Sequence, residues 1–147
     1  MKTNLLAILS IIGLLSIISA CSSSKGHQGK GNIFESEWGL VSVKAVTPTD
    51  SLLIANNDNT ATLEVLSDGT VKGSTSCNSF EGQVALNGYN LKFGNIVSTQ
   101  LSCSDSTVEA AFYSMLDSTD NYTVDHGHLL LKKGNKVLAQ FIPLNMR

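Results

Sequence analysis

The sequence lacks the residue patterns that mark nucleic-acid-binding proteins. Its 10 Lys and Arg residues are scattered over 147 positions, 12 Asp and Glu residues outnumber them, and there is one Trp. Because phosphate binding needs a clustered positive face, we expect no nucleic-acid partner. Proline is scarce too, with two residues, whereas Asn, Ser, Thr and Gly are abundant, a composition that suits a β-rich extracytoplasmic domain.

The sequence also lacks a hydrophobic run long enough to anchor the chain in a membrane. The apolar segment at residues 5–18 has 14 residues, whereas a spanning helix needs roughly 20. One positive charge precedes this segment and small polar residues follow it, an arrangement typical of a secretory signal. We therefore interpret residues 1–20 as a signal peptide that is removed.

Cys21 determines how we expect this signal to be cut. Ordinary cleavage after Ala20 would place bulky Ile18 three residues before the cut, where a small residue is required. The motif Ile18-Ser19-Ala20-Cys21 instead resembles the bacterial lipobox, whose cysteine thiol receives a diacylglycerol before cleavage. The alternative, ordinary cleavage after Ser22, would release the protein. We expect a lipoprotein, held stably because it carries two or three acyl chains.

The segment behind this cysteine is polar throughout. Residues 22–32 contain no apolar side chain to bury, so residues 21–32 are expected to form a lipidated, flexible tether with a typical end-to-end distance of roughly 15–20 Å. Residues 33–147 are then one domain's length of chain. Loss of Lys2 with the signal changes the net charge from −2 to −3.

Short alternating runs separated by turn residues predict an antiparallel β meander within residues 33–147. Residues 37–43 are predicted as the first strand and 47–59 as a loop. Three hairpins are predicted at residues 61–75, 83–93 and 129–142, because turn-forming residues interrupt the alternation at 67–69, 87–88 and 134–135.

One helix is predicted between the second and third hairpins. Ser106 and Glu109 form a capping-box pattern, in which each side chain bonds the other residue's backbone N–H. The apolar residues that follow have helical spacing and are Val108, Ala111, Phe112, Met115 and Leu116. We expect this stripe to pack on the sheet as core and not to contact a ligand.

Two cysteines remain for the mature domain once Cys21 carries lipid. In an oxidising compartment an even number favours a disulfide, here between Cys77 and Cys103. Closing this loop of about 27 residues would stabilise the fold by ~3.5 kcal/mol. Two buried free thiols, or a reactive or metal-binding thiol pair, are the alternatives.

No pattern predicts a catalytic or metal site. His126 and His128 lie two residues apart without an identifiable third ligand. The Asn-rich run at residues 56–59 lacks the alternation and terminal Glu of an EF-hand calcium loop. Both are interpreted as polar turns. Nucleophile elbows, phosphate loops and Cys-His signatures are missing as well, so we expect no enzymatic activity, no metal and no cofactor.

A series of motifs occurs in a fixed order along the domain. It comprises Trp38, the segment 73–82 with its Cys77-Asn78 pair, the segment 91–96, the segment 98–103, the helix with Glu109, a strand with Tyr122, and the final segments 129–131 and 138–141. This series resembles the META domain family, which includes the HslJ-like bacterial heat-shock proteins. The resemblance covers about 110 residues.

The resemblance implies an α+β fold, a strongly curved antiparallel β-sheet or open barrel with one α-helix packed on it. It also implies that Cys77 and Cys103 form a staple. The remaining motif residues are expected to have structural or binding roles: Gly73, Asn78, Gly82 and Thr99. In particular, Asn78 is expected to satisfy local backbone groups at a turn, and Gly82 to lie at a turn or bulge.

Members of this family are commonly envelope lipoproteins associated with stress or antibiotic tolerance, and no enzymatic activity is established for them. We therefore expect a non-catalytic accessory lipoprotein that binds an envelope protein or a lipid-like partner. Ser22 is not the Asp that retains lipoproteins in the inner membrane, which favours the outer membrane, facing the periplasm. The alternative is a secreted inhibitor, with a loop at residues 77–81 inserting into a target enzyme, or a carrier of an apolar ligand.

Overall fold

A computed structural model of the chain describes residues 32–45, 51–55, 61–102 and 106–146. The predicted signal peptide and Cys21 lie outside these residues. The described part contains a short 3₁₀ turn at Ile33–Glu35, and no helix in it is long and apolar enough to cross a membrane. Its strands and helix are β1 (Ser36–Lys44), β2 (Leu52–Ile54), β3 (Thr62–Val65), β4 (Thr70–Ser74), β5 (Ser79–Asn87), β6 (Asn90–Ser98), α1 (Thr107–Ser118), β7 (Asn121–Asp125), β8 (His128–Lys133) and β9 (Lys136–Met146).

Antiparallel pairing links these strands in the order β2-β1-β3-β4-β5-β6-β7-β8-β9, and β9 also pairs with β1. Strand β1 closes the sheet because it has three partners. Its first half pairs with β3 and its second half with β2, while β9 pairs along nearly its whole length. The sheet is therefore ring-like, without being a regular barrel, and the predicted α+β class with one helix packed on the sheet is confirmed.

Apolar side chains fill the inside of this ring. Phe112 of α1 is fully buried, and its ring centroid lies 6.2 Å from that of Phe141 on β9 and 5.5 Å from that of Phe80 on β5. The stripe predicted for the helix is confirmed as core, with four buried members: Ala111, Phe112, Met115 and Leu116. Burying one such side chain fully contributes about 1.5–3 kcal/mol, so core packing holds α1 on the sheet.

The buried indole of Trp38 links the start of the domain to this core. Its Nε1–H donates to the carbonyl oxygen of Ile33 at 2.8 Å, and both side chains are almost completely buried. Because a buried indole N–H without a partner is costly, this bond fixes the 3₁₀ turn against β1. The first described element therefore begins one residue after Asn32, where the polar segment of the sequence ends.

The three predicted hairpins are confirmed as β3–β4, β5–β6 and β8–β9, and the first strand as β1. The loop predicted at residues 47–59 is wrong in part, because Leu52, Leu53 and Ile54 form β2 and pair with the end of β1. Three residues are too few for an alternating pattern to be recognised. Residues 46–50 and 56–60 lie outside the described part of the chain.

Strands β6 and β7 meet at a single residue pair, Asn90 and Asn121. Beside it, the Leu91 N–H donates to the carbonyl oxygen of Asp120 at 3.0 Å. The N–H of Gly134 donates to the Asp120 carboxylate and holds the pKa of Asp120 below its usual value, because the bond favours the charged form. Beyond Leu91, β6 has no strand neighbour on this side within the described residues.

Gly73 provides a test of how closely β3, β4 and β5 pack. A Cβ atom at Gly73 would overlap the backbone oxygen of Thr62 and lie 2.8 Å from the ring of Phe80. We expect Gly73→Ala to lower the free energy of unfolding by about 1–3 kcal/mol, measured by urea denaturation. Gly94→Ala is the control, since a Cβ there meets no atom within 4 Å, and it should change stability by less than about 0.5 kcal/mol. Equal effects of the two changes would contradict this account.

Candidate functional site

The structure brings two predicted motif residues, Asn78 and Thr99, together with Glu109. Asn78 is 5% exposed. Its Oδ1 accepts hydrogen bonds from the Thr99 hydroxyl and from the Leu101 N–H, both at 2.8 Å. Its Nδ2 donates to Oε1 of Glu109 at 2.9 Å. One buried amide therefore joins the start of β5, the segment after β6 and the first turn of α1.

Thr75 completes this cluster, which we call the Asn78 network (Thr75, Asn78, Thr99 and Glu109). The Thr75 hydroxyl lies 2.7 Å from Oε1 of Glu109, to which it donates, and it accepts from the Asn78 N–H at 2.9 Å. The Thr75 N–H in turn donates to the Asn78 carbonyl oxygen at 2.7 Å. These bonds close the turn between β4 and β5 through the backbone groups of Asn78, whereas its side chain reaches the distant residues Thr99, Leu101 and Glu109.

The capping box predicted for the helix is wrong, although the helix itself is confirmed. The side chain of Ser106 makes no capping hydrogen bond. Glu109 lies in the first turn of α1, and its Oε1 accepts bonds from Thr75 and Asn78. The pattern Ser-x-x-Glu therefore located the start of the helix correctly. The Glu109 carboxylate, however, accepts hydrogen bonds from the turn between β4 and β5.

Cys77 lies next to the Asn78 network. Its Sγ is 3.7 Å from the carbonyl oxygen of Leu101. Cys103 follows Leu101 by two residues, a reach of at most ~7 Å of extended chain, but Cys103 lies outside the described residues. The disulfide between Cys77 and Cys103 therefore stays a prediction, and the position of Cys77 is compatible with it.

The two motif glycines lie in strands and not in the network. Gly73 is in β4, facing Phe80 as described above. Gly82 is in β5 at a register irregularity of the β5–β6 ladder, between the pairs Glu81–Val97 and Gln83–Gly94. A Cβ atom at Gly82 would lie 2.5 Å from Cδ1 of Ile96. Both glycines allow neighbouring strands to approach closely.

The histidine pair forms a turn, as interpreted from the sequence. His126 has a positive φ of 48° between β7 and β8, and its Nδ1 lies 2.8 Å from Oδ1 of Asp125. His128 begins β8. Within the described residues no group of three or more His, Cys, Asp or Glu side chains could hold a metal ion. The Asn-rich run at residues 56–59 lies outside them.

A groove between β6 and α1 is the feature that sequence reasoning missed. It has a volume of about 350 Å³ and is lined by residues that include Phe93, Asn95, Ile96, Ser98, Tyr113 and Asp117. Gly94-Asn95 within a strand pattern was the available signal, since such residues mark bulges. Asn95 indeed has a positive φ of 52°, and its Nδ2 donates to Oε1 of Gln83 at 2.7 Å.

The polar groups of this groove differ from those of the Asn78 network. The hydroxyl of Tyr113 is buried and has no hydrogen-bond partner among the described residues, while its ring packs edge-on against Phe80 and Phe112 at 6.0 and 6.2 Å. A buried hydroxyl without a partner costs about 1–3 kcal/mol. Tyr113, a residue that lines the groove, therefore carries a buried polar atom that the described residues leave unsatisfied.

The Asn78 network can be tested by removing its central amide. Asn78→Ala deletes the side-chain hydrogen bonds to Thr99, Leu101 and Glu109. It is expected to lower the free energy of unfolding by about 2–4 kcal/mol, measured in urea with Trp38 fluorescence. Asn78→Asp places an oxygen against the Glu109 carboxylate, so it should destabilise more at pH 7 than at pH 4. Asn90→Ala, at an exposed Asn, is the control. Equal stability of the two alanine variants would show that the network does not hold the fold.

Comparisons with known proteins agree with this architecture. The chain is similar in structure to a protein from Burkholderia xenovorans (TM-score 0.61, 21% identity, 76% of this chain and 83% of that one). It is also similar to a DUF4847 family protein from Bacteroides vulgatus (TM-score 0.55, 20% identity, 78% of this chain and 96% of that one). Proteins of curated function give no significant match. The META domain family matches residues 31–144, and the chain belongs to this family.

Proposed function

We propose that this META-domain protein is a lipoprotein of the bacterial cell envelope, lipidated on Cys21. The support comes from the motif Ile18-Ser19-Ala20-Cys21 and from the polar tether behind it. The described fold begins at Asn32, where that polar segment ends. Oδ1 of Asn32 accepts a hydrogen bond from the Phe34 N–H at 3.1 Å. Ser22 favours the outer membrane, with the domain facing the periplasm.

The lipid anchor is tested with Cys21→Ser in the full-length chain, expressed in bacteria. We expect this variant to incorporate no labelled palmitate and to leave the membrane fraction, whereas Cys77→Ser, the control, keeps the label. A wild-type mature chain that begins at Ser23 would instead show ordinary cleavage after Ser22. Unchanged palmitate labelling of Cys21→Ser would contradict the proposal.

We further propose that the domain acts by binding a partner and not by catalysis. The observation that carries this proposal is the Asn78 network, whose polar side chains bond one another and hold two loops in place. Beside these loops, Val97 and Leu101 are 70% and 64% exposed. Contiguous exposed apolar patches are typical of interaction surfaces, and we infer that Val97 and Leu101 contribute to one. We propose a role for this surface in envelope stress or antibiotic tolerance.

The alternative, an inhibitor or a carrier of an apolar ligand, has less support from the fold. A carrier needs an open interior, and here buried side chains such as Phe112, Leu129 and Phe141 occupy the inside of the ring. The motif turn at Thr75–Asn78 is tied to α1 through Glu109, so inserting it into an enzyme would require the enzyme to fit a fixed shape. Binding of an envelope partner to the surface of the domain needs neither an open interior nor an inserted loop.

Partner binding is tested by crosslinking in cells. A photoreactive amino acid at Val97 or Leu101 should give one discrete crosslinked product, while the same residue at Tyr89, which is 54% exposed on the β5–β6 turn, should give none. A deletion strain should also become more sensitive to detergent or antibiotics. Absence of any product at both positions, together with unaltered sensitivity, would count against this function.

A further inference from the structure

We infer that the groove between β6 and α1 binds an extended peptide segment of the partner, which adds as a strand to the free edge of β6 and carries a basic side chain. The inference rests on the proposed function, because it takes the binding of a partner from it and adds the surface and the chemistry of that binding. Three independent features of the groove lead to it.

The first feature is the direction of the backbone groups of β6. The Leu91 N–H points to β7, and the Thr99 N–H points to β5, where it donates to the Ser79 carbonyl oxygen at 3.0 Å. Successive residues of an antiparallel strand point alternately to its two edges. Followed forward from Leu91, this alternation makes the backbone groups of Phe93 point away from β5. Followed back from Thr99 as far as the irregularity at residue 95, it makes those of Ser98 and Ile96 point away from β5 as well.

These outward backbone groups have no strand beside them in the described part of the chain. Strand β7 reaches β6 only at Asn90, and the backbone N–H and carbonyl groups within a helix are used in its own bonds. Phe93, Ile96 and Ser98 are all groove-lining residues. At about 3.3 Å per residue, this edge matches a peptide of about five residues.

The second feature is the unsatisfied hydroxyl of Tyr113. The side chain of Tyr113 lines the same groove as the free edge, and we infer that on peptide binding the ring turns so that the hydroxyl bonds a carbonyl oxygen or N–H of the peptide backbone. Filling this site therefore removes a cost that the free protein bears. The groove's volume of about 350 Å³ lies within the usual range of binding sites.

The third feature is the charge at the rim. Asp117 is exposed, lines the groove, and forms no ion pair with the described cations; Lys92 donates instead to its backbone oxygen at 2.6 Å. A carboxylate that forms no ion pair with the described cations, on a groove also lined by apolar Phe93 and Ile96, favours a segment in which apolar and basic side chains alternate. Since alternate side chains of a strand point to opposite faces, one such segment presents both.

The experiment uses the lipidated mature protein, ¹⁵N-labelled and held in detergent micelles, with a seven-residue peptide of alternating Val and Lys as the probe. In the free protein, the amides of Ile96 and Ser98 should exchange with solvent much faster than that of Val97, which pairs with β5. The peptide should protect Ile96 and Ser98 and shift the Tyr113 signals. The same peptide N-methylated at alternate residues cannot pair with the edge and should do neither.

Two variants resolve the side-chain contributions. Tyr113→Phe removes only the hydroxyl, so it should keep or raise stability and weaken peptide affinity about fivefold. Asp117→Lys should weaken affinity at least about threefold at low salt, with a smaller effect at high salt. Asp125→Lys, at an exposed Asp in the β7–β8 turn, is the control and should leave affinity unchanged.

Several results would overturn the inference. They are slow exchange of Ile96 and Ser98 in the free protein, equal binding of the N-methylated peptide, and full affinity in Tyr113→Phe. Shifts of the Tyr113 signals when further detergent is added without peptide would show that the groove takes an acyl chain instead. If the groove fails these tests while crosslinking at Val97 still captures a discrete partner, the inference is wrong and the proposed function stands.

Discussion

The packing of the apolar stripe of α1 into the ring is the interaction on which the rest of the described structure depends. The sheet closes on itself through β1 and β9, but closure does not determine where α1 lies relative to the strand ends. The hydrogen bond from Asn78 to Glu109 helps to position the helix, because it joins the first turn of α1 to the turn between β4 and β5. With its stripe inside the ring, the other side of α1 borders β6.

Much of the fold could be predicted because its signals are local. Alternating side chains with turn residues between them located the hairpins, and helical spacing from Val108 to Leu116 located α1 and its buried face. Strand β2 was missed because three residues show no periodicity; only pairing with β1 makes them a strand. The role of Glu109 was missed for a related reason, since a capping-box pattern and a distant acceptor look identical in sequence.

The candidate site was predicted less completely than the fold, because it depends on contacts between distant segments. Resemblance to a family identified Asn78 and Thr99 as important without showing that their side chains touch. The groove had almost no signal: Tyr113 looks like an ordinary residue of an amphipathic helix, and the free edge of β6 exists only because β7 turns away after one pair. Spatial arrangement, and not residue type, makes these groups available to a partner.

The closely packed ring keeps the motif loops in a fixed arrangement, because β1 pairs with β9 and the Asn78 network joins the turn between β4 and β5 to α1. The exposed apolar side chains of Val97 and Leu101 lie beside these loops. If they bind a partner as we propose, the surface is preformed, which lowers the cost of ordering on binding.

The pairing of β1 with β9 has a consequence for the order in which the domain can fold. The two strands come from opposite ends of the domain, so the ring cannot close until the eleven residues of β9 have been synthesised. Until then β1 lacks the neighbour that covers most of its length. Closure of the ring therefore waits for the last strand of the domain.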